Sequence, residues 1–131
     1  MNFLLDTNTC IAVMRGGVEV GRRMAGRSPD ECGVSVVTIY ELLTGVERCK
    51  DPVAERRKVE LFLAPLHHLP FDRFASEEAA KIRWVLERQG MMIGPYDVLL
   101  AGQSLVLDVV LVSRNLREFQ RVPGLRVESW G

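Results

Sequence analysis

Four acidic residues follow or open apolar segments of the chain, at places where their side chains could meet. Asp6 directly follows the apolar run at residues 3–5, and Asp97 opens a long apolar segment. Glu41 and Glu118 come a few residues after two further apolar runs. In open parallel α/β sheets, ligands bind outside the carboxyl ends of the strands. If the apolar runs are parallel strands, the four carboxylates could face one cleft.

Four carboxylates in one cleft indicate metal-assisted chemistry. Carboxylates that are forced together repel each other, which costs free energy unless protons or a hard dication compensate the charge. Oxygen ligands suit Mg²⁺ or Mn²⁺ rather than zinc. Such an ion activates water and steadies phosphoryl oxygens during in-line displacement. Thr7 and Asn8, beside Asp6, and Ser113, at the end of a late apolar run, could orient a carboxylate or a water molecule.

Each acidic residue also has a purely structural interpretation. Asp6 could cap a helix, and Glu41 could complete a capping box with Thr38. Asp97 suits the first turn of a helix, where the helix dipole favours negative charge. Glu118 could lie on a solvated turn. Taken singly, each structural role is the more common one, and only the joint occurrence of the four residues favours a site.

The elements that must position these residues alternate between strands and helices. Apolar and β-branched runs predict short strands at residues 3–5, 32–35, 66–69, 109–112 and 125–127. Caps and helical periodicity predict helices ending near 15, then at 18–25, 37–49, 51–63, from about 72 to 89, 95–107 and 116–120. The helix at 95–107 is apolar around most of its circumference and is expected to lie deep in the fold. This alternation predicts an α/β fold with a mostly parallel sheet.

Composition bounds the class of protein. The chain of 131 residues suits one compact domain, residues 1–131. Its 17 basic residues balance 17 acidic ones, so any contact with RNA must be local. No apolar run approaches the ~20 residues that cross a bilayer, and Cys10, Cys32 and Cys49 lack the spacing of a zinc site. We expect a cytoplasmic protein with no membrane association and with reduced cysteines.

Three segments occur in an order that resembles the PIN-domain toxins of the VapC group. They are Asp6-Thr7-Asn8 after a strand, the pattern S-x-x-T-x-x-E-L-x-x-G at 35–45, and Ile-Gly-Pro-x-Asp at 93–97, followed by residues 115–119 and 122–125. The resemblance implies a three-layer α/β/α PIN-like fold. It also implies a metal-dependent endoribonuclease that hydrolyses single-stranded RNA with water as the nucleophile. Such a toxin would pair with a small VapB-like antitoxin and form a homodimer.

Carried over to this sequence, the resemblance implies a set of site residues. Asp6, Glu41 and Asp97 would form the acidic site, with Asp6 and Asp97 as ligands of Mg²⁺ or Mn²⁺. Glu118 would be the fourth carboxylate. The sequence departs from many PIN domains at Asn115, where an aspartate is common, although other members of the group combine asparagine there with an acidic residue at the position of Glu118. Asn115 is therefore expected to support the site rather than to act in it.

The late part of the chain also offers basic groups. Arg114, Arg117 and Arg121 cluster after the predicted strand at 109–112 and could hold RNA phosphates. The adjacent pair His67-His68 is a poor acid–base pair, because neighbouring side chains on a strand point to opposite faces. A structural role is expected for both histidines.

Other function classes fit less well. Asp6 after an apolar strand also resembles the start of a haloacid-dehalogenase-type phosphatase, but Asn8 stands where that family has its second aspartate. A receiver-like signalling module would need an early acidic pair and a late lysine, which are missing. The open alternative is a catalytically degenerate PIN domain that binds RNA or a protein without cleaving. A cleavage assay with a metal titration distinguishes it from the enzyme.

Overall fold

The computed structural model describes residues 1–131 as five short strands and seven helices that alternate along the chain. The strands are β1 (Phe3–Leu5), β2 (Cys32–Ser35), β3 (His67–Leu69), β4 (Val110–Val112) and β5 (Val127–Glu128). The helices are α1 (Thr7–Met14), α2 (Val18–Ala25), α3 (Val36–Glu47), α4 (Pro52–Leu63), α5 (Arg73–Gln89), α6 (Pro95–Leu107) and α7 (Leu116–Phe119).

The five strands form one sheet in the order β3-β2-β1-β4-β5, and every neighbouring pair is parallel. The chain runs outward from β1 to β3, and β4 then returns to the other side of β1. The carboxyl ends of β1 and β4 therefore stand side by side where the strand order reverses. Open α/β sheets bind their ligands at this point. Asp6 and Ser113 directly follow these two strand ends.

Helices cover both faces of the sheet and bury an apolar cluster on each. Leu4 belongs to the cluster that includes α5, α6 and α7, whereas Leu5 belongs to the cluster that includes α1 to α4. Leu111 and Val112 divide in the same way, because successive strand side chains alternate between faces. The expected three-layer α/β/α architecture is confirmed, and its sheet is parallel throughout. None of the helices combines the length and the apolar character needed to span a membrane.

Polar caps set where several helices begin. The capping side chains of α1, α3, α4 and α5 belong to Asp6, Ser35, Asp51 and Asp72. Pro95 occupies the first turn of α6, where its fixed φ suits a helix. Since Ser35 caps α3, Thr38 lies inside the helix, and the capping box considered for Thr38 and Glu41 does not form.

Helices α5 and α6 are in close contact at Gly102. A Cβ atom added at Gly102 would lie 2.7 Å from the backbone nitrogen of Ala79, so only glycine permits this spacing. Gln103 and Ser104, which interrupt the apolar surface of α6, are buried and donate to the carbonyls of Pro70 and Leu100. The middle of α6 is thus fixed against α5. This contact also sets the position of the first turn of α6, which carries Asp97.

Two expectations need correction. Strand β5 comprises Val127–Glu128 rather than 125–127, because Leu125 packs against the core from the preceding turn. Helix α6 is buried only in its middle, since Tyr96, Val106 and Leu107 are 39–40% exposed. Its two ends reach the surface, and the first turn reaches it at the edge where β1 ends.

Candidate active site

The first carboxylate is fixed where β1 ends. The backbone N–H of Asp6 donates to the carbonyl of Val112 at 3.0 Å, and the Asp6 Oδ1 accepts from the N–H of Thr9 at 2.8 Å. The Thr9 hydroxyl donates to the same Val112 carbonyl at 3.2 Å. Asp6 is only 4% exposed. Its capping role occupies Oδ1 and leaves Oδ2 without a hydrogen bond from the protein, so Asp6 can serve both the helix and the cleft.

Glu41 reaches the same cleft from the second turn of α3. The Thr7 hydroxyl donates to the Glu41 Oε1 at 2.7 Å, and it lies 3.3 Å from the hydroxyl of buried Thr38. Because the short bond to Glu41 uses the one proton of Thr7, the Thr38 hydroxyl donates to Thr7. This chain of two hydroxyl groups orients the Glu41 carboxylate.

Asp97 occupies the third position of α6, and its electrostatic environment is the most unusual in the cleft. Burial raises the pKa of Asp97 to about 6, with further contributions from the charges of Asp6, Glu118 and Glu41 in that order. Gly94 makes room for this carboxylate, since a Cβ there would lie 3.2 Å from the Asp97 Oδ2. The structure therefore brings the other three predicted carboxylates within electrostatic reach of Asp97.

Glu118 is held by the segment after β4. The Asn115 Nδ2 donates to the Glu118 Oε2 at 2.7 Å, and the Asn115 N–H donates to the Oγ of buried Ser113 at 2.9 Å. Asn115 thus orients Glu118, and Ser113 orients Asn115. Glu118 is partly buried, so it does not lie on a freely solvated turn.

No basic residue neutralises this acidic set. The eight salt bridges of the chain include none of the four carboxylates. No three histidine, cysteine or carboxylate side chains stand close enough together to hold one ion. Asp6, Glu41 and Asp97 line one depression, whereas Glu118 lies near enough for its charge to act on Asp97 but does not line that depression. The donor set is nevertheless all oxygen and lacks a compensating charge, which fits a hard dication such as Mg²⁺ or Mn²⁺.

The cleft has two connected lobes. The acidic lobe has a volume of about 200 Å³ and is lined by Asp6, Thr7, Asn8, Glu41, Tyr96, Asp97 and the segment 94–95. The wide lobe, of about 610 Å³, shares Asp6 and Asn8 with it. Arg15 and Arg114 line the wide lobe, and both are exposed and free of salt bridges. Negative charge on one side and positive charge on the other suit a phosphodiester bound beside a cation.

The structure separates the three arginines that were grouped by sequence. Arg114 lines the wide lobe. Arg117 is exposed and does not line either lobe. Arg121 donates to the carbonyls of Met91 and Met92 at 3.4 and 3.0 Å, so it braces the loop before α6.

The histidines have the structural role expected of them. The Nε2 of His67 pairs with the carbonyl of Asp30 at 3.1 Å. The Nε2 of His68 pairs with the carbonyl of Leu63 at 2.8 Å. Neither histidine lines the cleft.

Sequence reasoning missed Arg15 and Tyr96 as lining residues. Arg15 caps the carboxyl end of α1 and lies before the Gly16-Gly17 pair, which ends the helix at the wide lobe. Tyr96 stands at the variable position of the Ile-Gly-Pro-x-Asp motif, so the motif itself gave no reason to notice it. The signal that could have identified Tyr96 as a lining residue is its position directly before Asp97.

The chain matches the PIN domain family model over residues 3–125. It is 37% identical over 130 residues to the tRNA(fMet)-specific endonuclease VapC of Salmonella typhimurium, covering 99% of this chain and 98% of that protein. It is 34% identical to Ribonuclease VapC2 of Haemophilus influenzae, with the same coverage. Among solved structures, the DNA-bound VapBC complex from Salmonella typhimurium contains a chain that superimposes with a TM-score of 0.94 at 36% identity, covering 100% of this chain and 99% of that one.

Proposed function

We propose that this chain is the ribonuclease toxin of a VapBC-type toxin–antitoxin pair. The chain belongs to the PIN-domain family and is similar from end to end to VapC ribonucleases. In this proposal residues 1–131 act as one nuclease domain. The domain hydrolyses phosphodiester bonds of single-stranded RNA with Mg²⁺ or Mn²⁺ as cofactor. The tRNA specificity in the name of the Salmonella relative makes tRNA the first natural RNA to test.

One observation carries the proposal. Asp97 is held at a helix terminus among three other carboxylates, and burial together with their charges raises its pKa to about 6. A fold gains no stability from such repulsion, and perturbed carboxylates of this kind cluster at functional sites. Of the few chemistries that use an acidic cleft of oxygen donors, metal-assisted phosphodiester hydrolysis is the one that a PIN domain and ribonuclease relatives both support.

The contacts of the four carboxylates suggest a separate role for each pair. Asp6 and Asp97 would hold the cation, and Glu41 and Glu118 would complete its surroundings. When bound, the cation would supply an activated water and charge compensation at the phosphoryl oxygens. Thr7 fixes the orientation of Glu41, which lines the cleft, and Asn115 fixes that of Glu118, whose charge acts on Asp97. These fixed orientations reduce the rearrangement that the carboxylates need when a cation enters.

Arg114 and Arg15 serve the substrate rather than the cation. Both line the wide lobe, and an unpaired guanidinium group binds phosphate with two parallel hydrogen bonds. We expect the RNA backbone to cross the wide lobe and to reach the acidic lobe at Asp6. The sugar–phosphate contacts would position the strand without reading its sequence.

The proposed partner is a small VapB-like antitoxin whose C-terminal segment lies across the acidic cleft. The likeness to a chain of a VapBC complex supports this partner, and so does the unneutralised charge, because an arginine or lysine could occupy the place of the cation. A groove lined by Ile11, Met14 and Leu42 adjoins the cleft at Glu41 and offers apolar contact for such a segment. We further propose that the toxin is a homodimer, which sedimentation measurements would test.

The alternative is a catalytically degenerate PIN domain that binds RNA or protein only. Asparagine variants decide between the two, because Asp6→Asn and Asp97→Asn remove a charge but keep side-chain volume. Asparagine caps helices as well as aspartate does, so the Asp6→Asn variant should fold. Each variant should lose at least ~10²-fold in cleavage rate. Asp72→Asn makes the same change at the cap of α5 and serves as the matched control.

The assay is cleavage of single-stranded RNA and of tRNA by purified protein, with Mg²⁺, with Mn²⁺ and with EDTA. The enzyme should be active with either ion and inactive in EDTA. Full activity in EDTA, or equal activity of the Asp97→Asn and Asp72→Asn variants, would contradict the metal-dependent mechanism. RNA binding without any cleavage under all conditions would support the degenerate domain.

A further inference from the structure

Two exposed tyrosines flank the acidic lobe of the cleft. Tyr40 is 55% exposed and Tyr96 is 39% exposed, although they come from different helices, α3 and α6. Their rings pack edge to face with centroids 5.8 Å apart, and their hydroxyl oxygens lie 3.4 Å apart. Large aromatic side chains left in contact with water next to a polar cleft suit a ligand with a flat apolar face.

The position of the pair follows from the carboxylates. Tyr40 directly precedes Glu41, and Tyr96 directly precedes Asp97. Neighbouring residues on a helix point about 100° apart, so a carboxylate that points into the cleft leaves the preceding side chain at its rim. The same two helices that present acidic groups to the cleft thus present aromatic rings at its edge.

A small depression continues the cleft past the two rings. It has a volume of about 140 Å³ and is lined by Tyr40, Glu41, Thr44, Arg48 and Tyr96, and it shares Glu41 and Tyr96 with the acidic lobe. Arg48 is exposed and takes part in no salt bridge. Going outward from the acidic lobe, the depression is therefore lined by the two aromatic rings and then by the unpaired positive charge of Arg48.

We propose that Tyr40 and Tyr96 form a platform on which one nucleobase next to the cleaved phosphate stacks, while Arg48 binds the following phosphate. This inference rests on the proposed action on RNA. Three connected depressions would then form one track, from Arg114 through the acidic lobe to Arg48. Base stacking on aromatic side chains is sequence-tolerant, because every base has an aromatic face. The platform would position the strand on one side of the cut.

Phe74 and Trp84, which are also exposed, lie on α5 and line none of the three depressions.

The test combines protein variants with RNA that lacks one base. Steady-state cleavage of a short single-stranded RNA is measured for the wild type, Tyr96→Leu, Tyr96→Phe and the control Trp84→Leu. Tyr96→Leu should raise KM by about 5- to 150-fold, the range expected for loss of one stacked base, with kcat nearly unchanged. Tyr96→Phe keeps the ring and should retain most of the affinity. Trp84→Leu should behave as the wild type.

Abasic nucleotides identify the stacked base. An abasic site at one position beside the cut should raise KM of the wild type by the same factor as Tyr96→Leu. The two changes together should have no larger effect than either alone. Fully additive effects, or unchanged KM in Tyr96→Leu, would overturn the platform.

Cleavage by the wild type and the oligomeric state of Tyr96→Leu complete the test. If the wild type cleaves no RNA, the proposed function fails. The same variants are then compared by anisotropy of labelled RNA, and equal RNA affinities of the wild type and Tyr96→Leu would overturn the platform as well. If Tyr96→Leu dissociates a dimer and abasic sites have no effect, a second copy of the chain covers the tyrosines and the platform is wrong.

Discussion

Replacing Asp97 by asparagine should stabilise the metal-free protein at neutral pH and change its stability little in acid. The folded-state pKa of Asp97, about 6, lies above the value of about 3.9 for an aspartate in an unfolded chain. The folded state therefore binds the proton more tightly. The fold is favoured while Asp97 is protonated, and this advantage is lost as the pH rises from about 4 to about 6.

The size of the effect follows from the pKa difference. A difference of about 2 units corresponds to roughly 3 kcal/mol, and solvent screening at a partly exposed carboxylate reduces this to about 1–2.5 kcal/mol. The variant should thus gain about 1–2.5 kcal/mol above pH 7. Near pH 4 the remaining penalty of the carboxylate is about 0.5 kcal/mol, so the two proteins should be almost equally stable.

Urea unfolding in EDTA at pH 4.0 and pH 7.5 measures this difference. Asp72→Asn is the matched control, because Asp72 is exposed and lies at the start of α5; it should show no gain that depends on pH. An equal gain of Asp97→Asn at both pH values, or no gain at pH 7.5, would refute the view that neighbouring carboxylates and burial oppose the charge of Asp97.

Four further outcomes can be measured. Mg²⁺ affinity in isothermal titration should fall by up to about tenfold per pH unit below pH 6, since a proton on Asp97 competes with the ion; a flat profile from pH 5 to 7.5 would exclude Asp97 as a ligand. Glu118→Gln should slow RNA cleavage less than Asp97→Asn, because the glutamine oxygen still accepts from Asn115; an equal loss would give Glu118 a direct role. Gly102→Ala should lower the free energy of unfolding by about 1–3 kcal/mol, whereas Gly45→Ala, with no neighbouring atom within 4 Å of the added carbon, should not. Antitoxin affinity should decrease with saturating Mg²⁺ and in the Asp6→Asn/Asp97→Asn double variant; affinity insensitive to both would place the antitoxin elsewhere.

Periodicity and caps sufficed to predict most of the fold. The strands β1, β2 and β4 were predictable because their apolar residues are buried on both faces, which leaves a clear run in the sequence. The predicted start of β5 was two residues too early, because the apolar side chain of Leu125 packs against the core from a turn and Leu125 does not pair with a neighbouring strand. The exposed ends of α6 were missed for a related reason: the residue types of Tyr96 and Leu107 alone do not reveal that the sheet leaves them uncovered.

The positions of the acidic residues were more predictable than those of the basic residues around them. Asp6 and Asp97 are marked by local signals, namely a strand end and a glycine–proline helix start, and the ordered motifs joined them to Glu41. The basic side of the cleft could not be predicted in this way. Arg15 and Arg121 have the same charge in the sequence, but one lines the wide lobe and the other binds two loop carbonyls. Their difference depends on the direction of a helix end and of a turn, which periodicity does not specify.

The contact between Gly102 and Ala79 has an evolutionary consequence. The two nearest atoms that oppose a larger side chain at position 102 belong to the backbone of Ala79 in α5, so a smaller side chain at position 79 would not make enough room. Sequence drift can alter the outer faces of both helices, but the distance between their axes can change only by a simultaneous shift of a whole helix. Lineages that descend from this protein should therefore keep glycine at this position even where substrate preference diverges. New specificities would arise at the rim of the cleft, while the spacing that holds Asp97 in place is inherited unchanged.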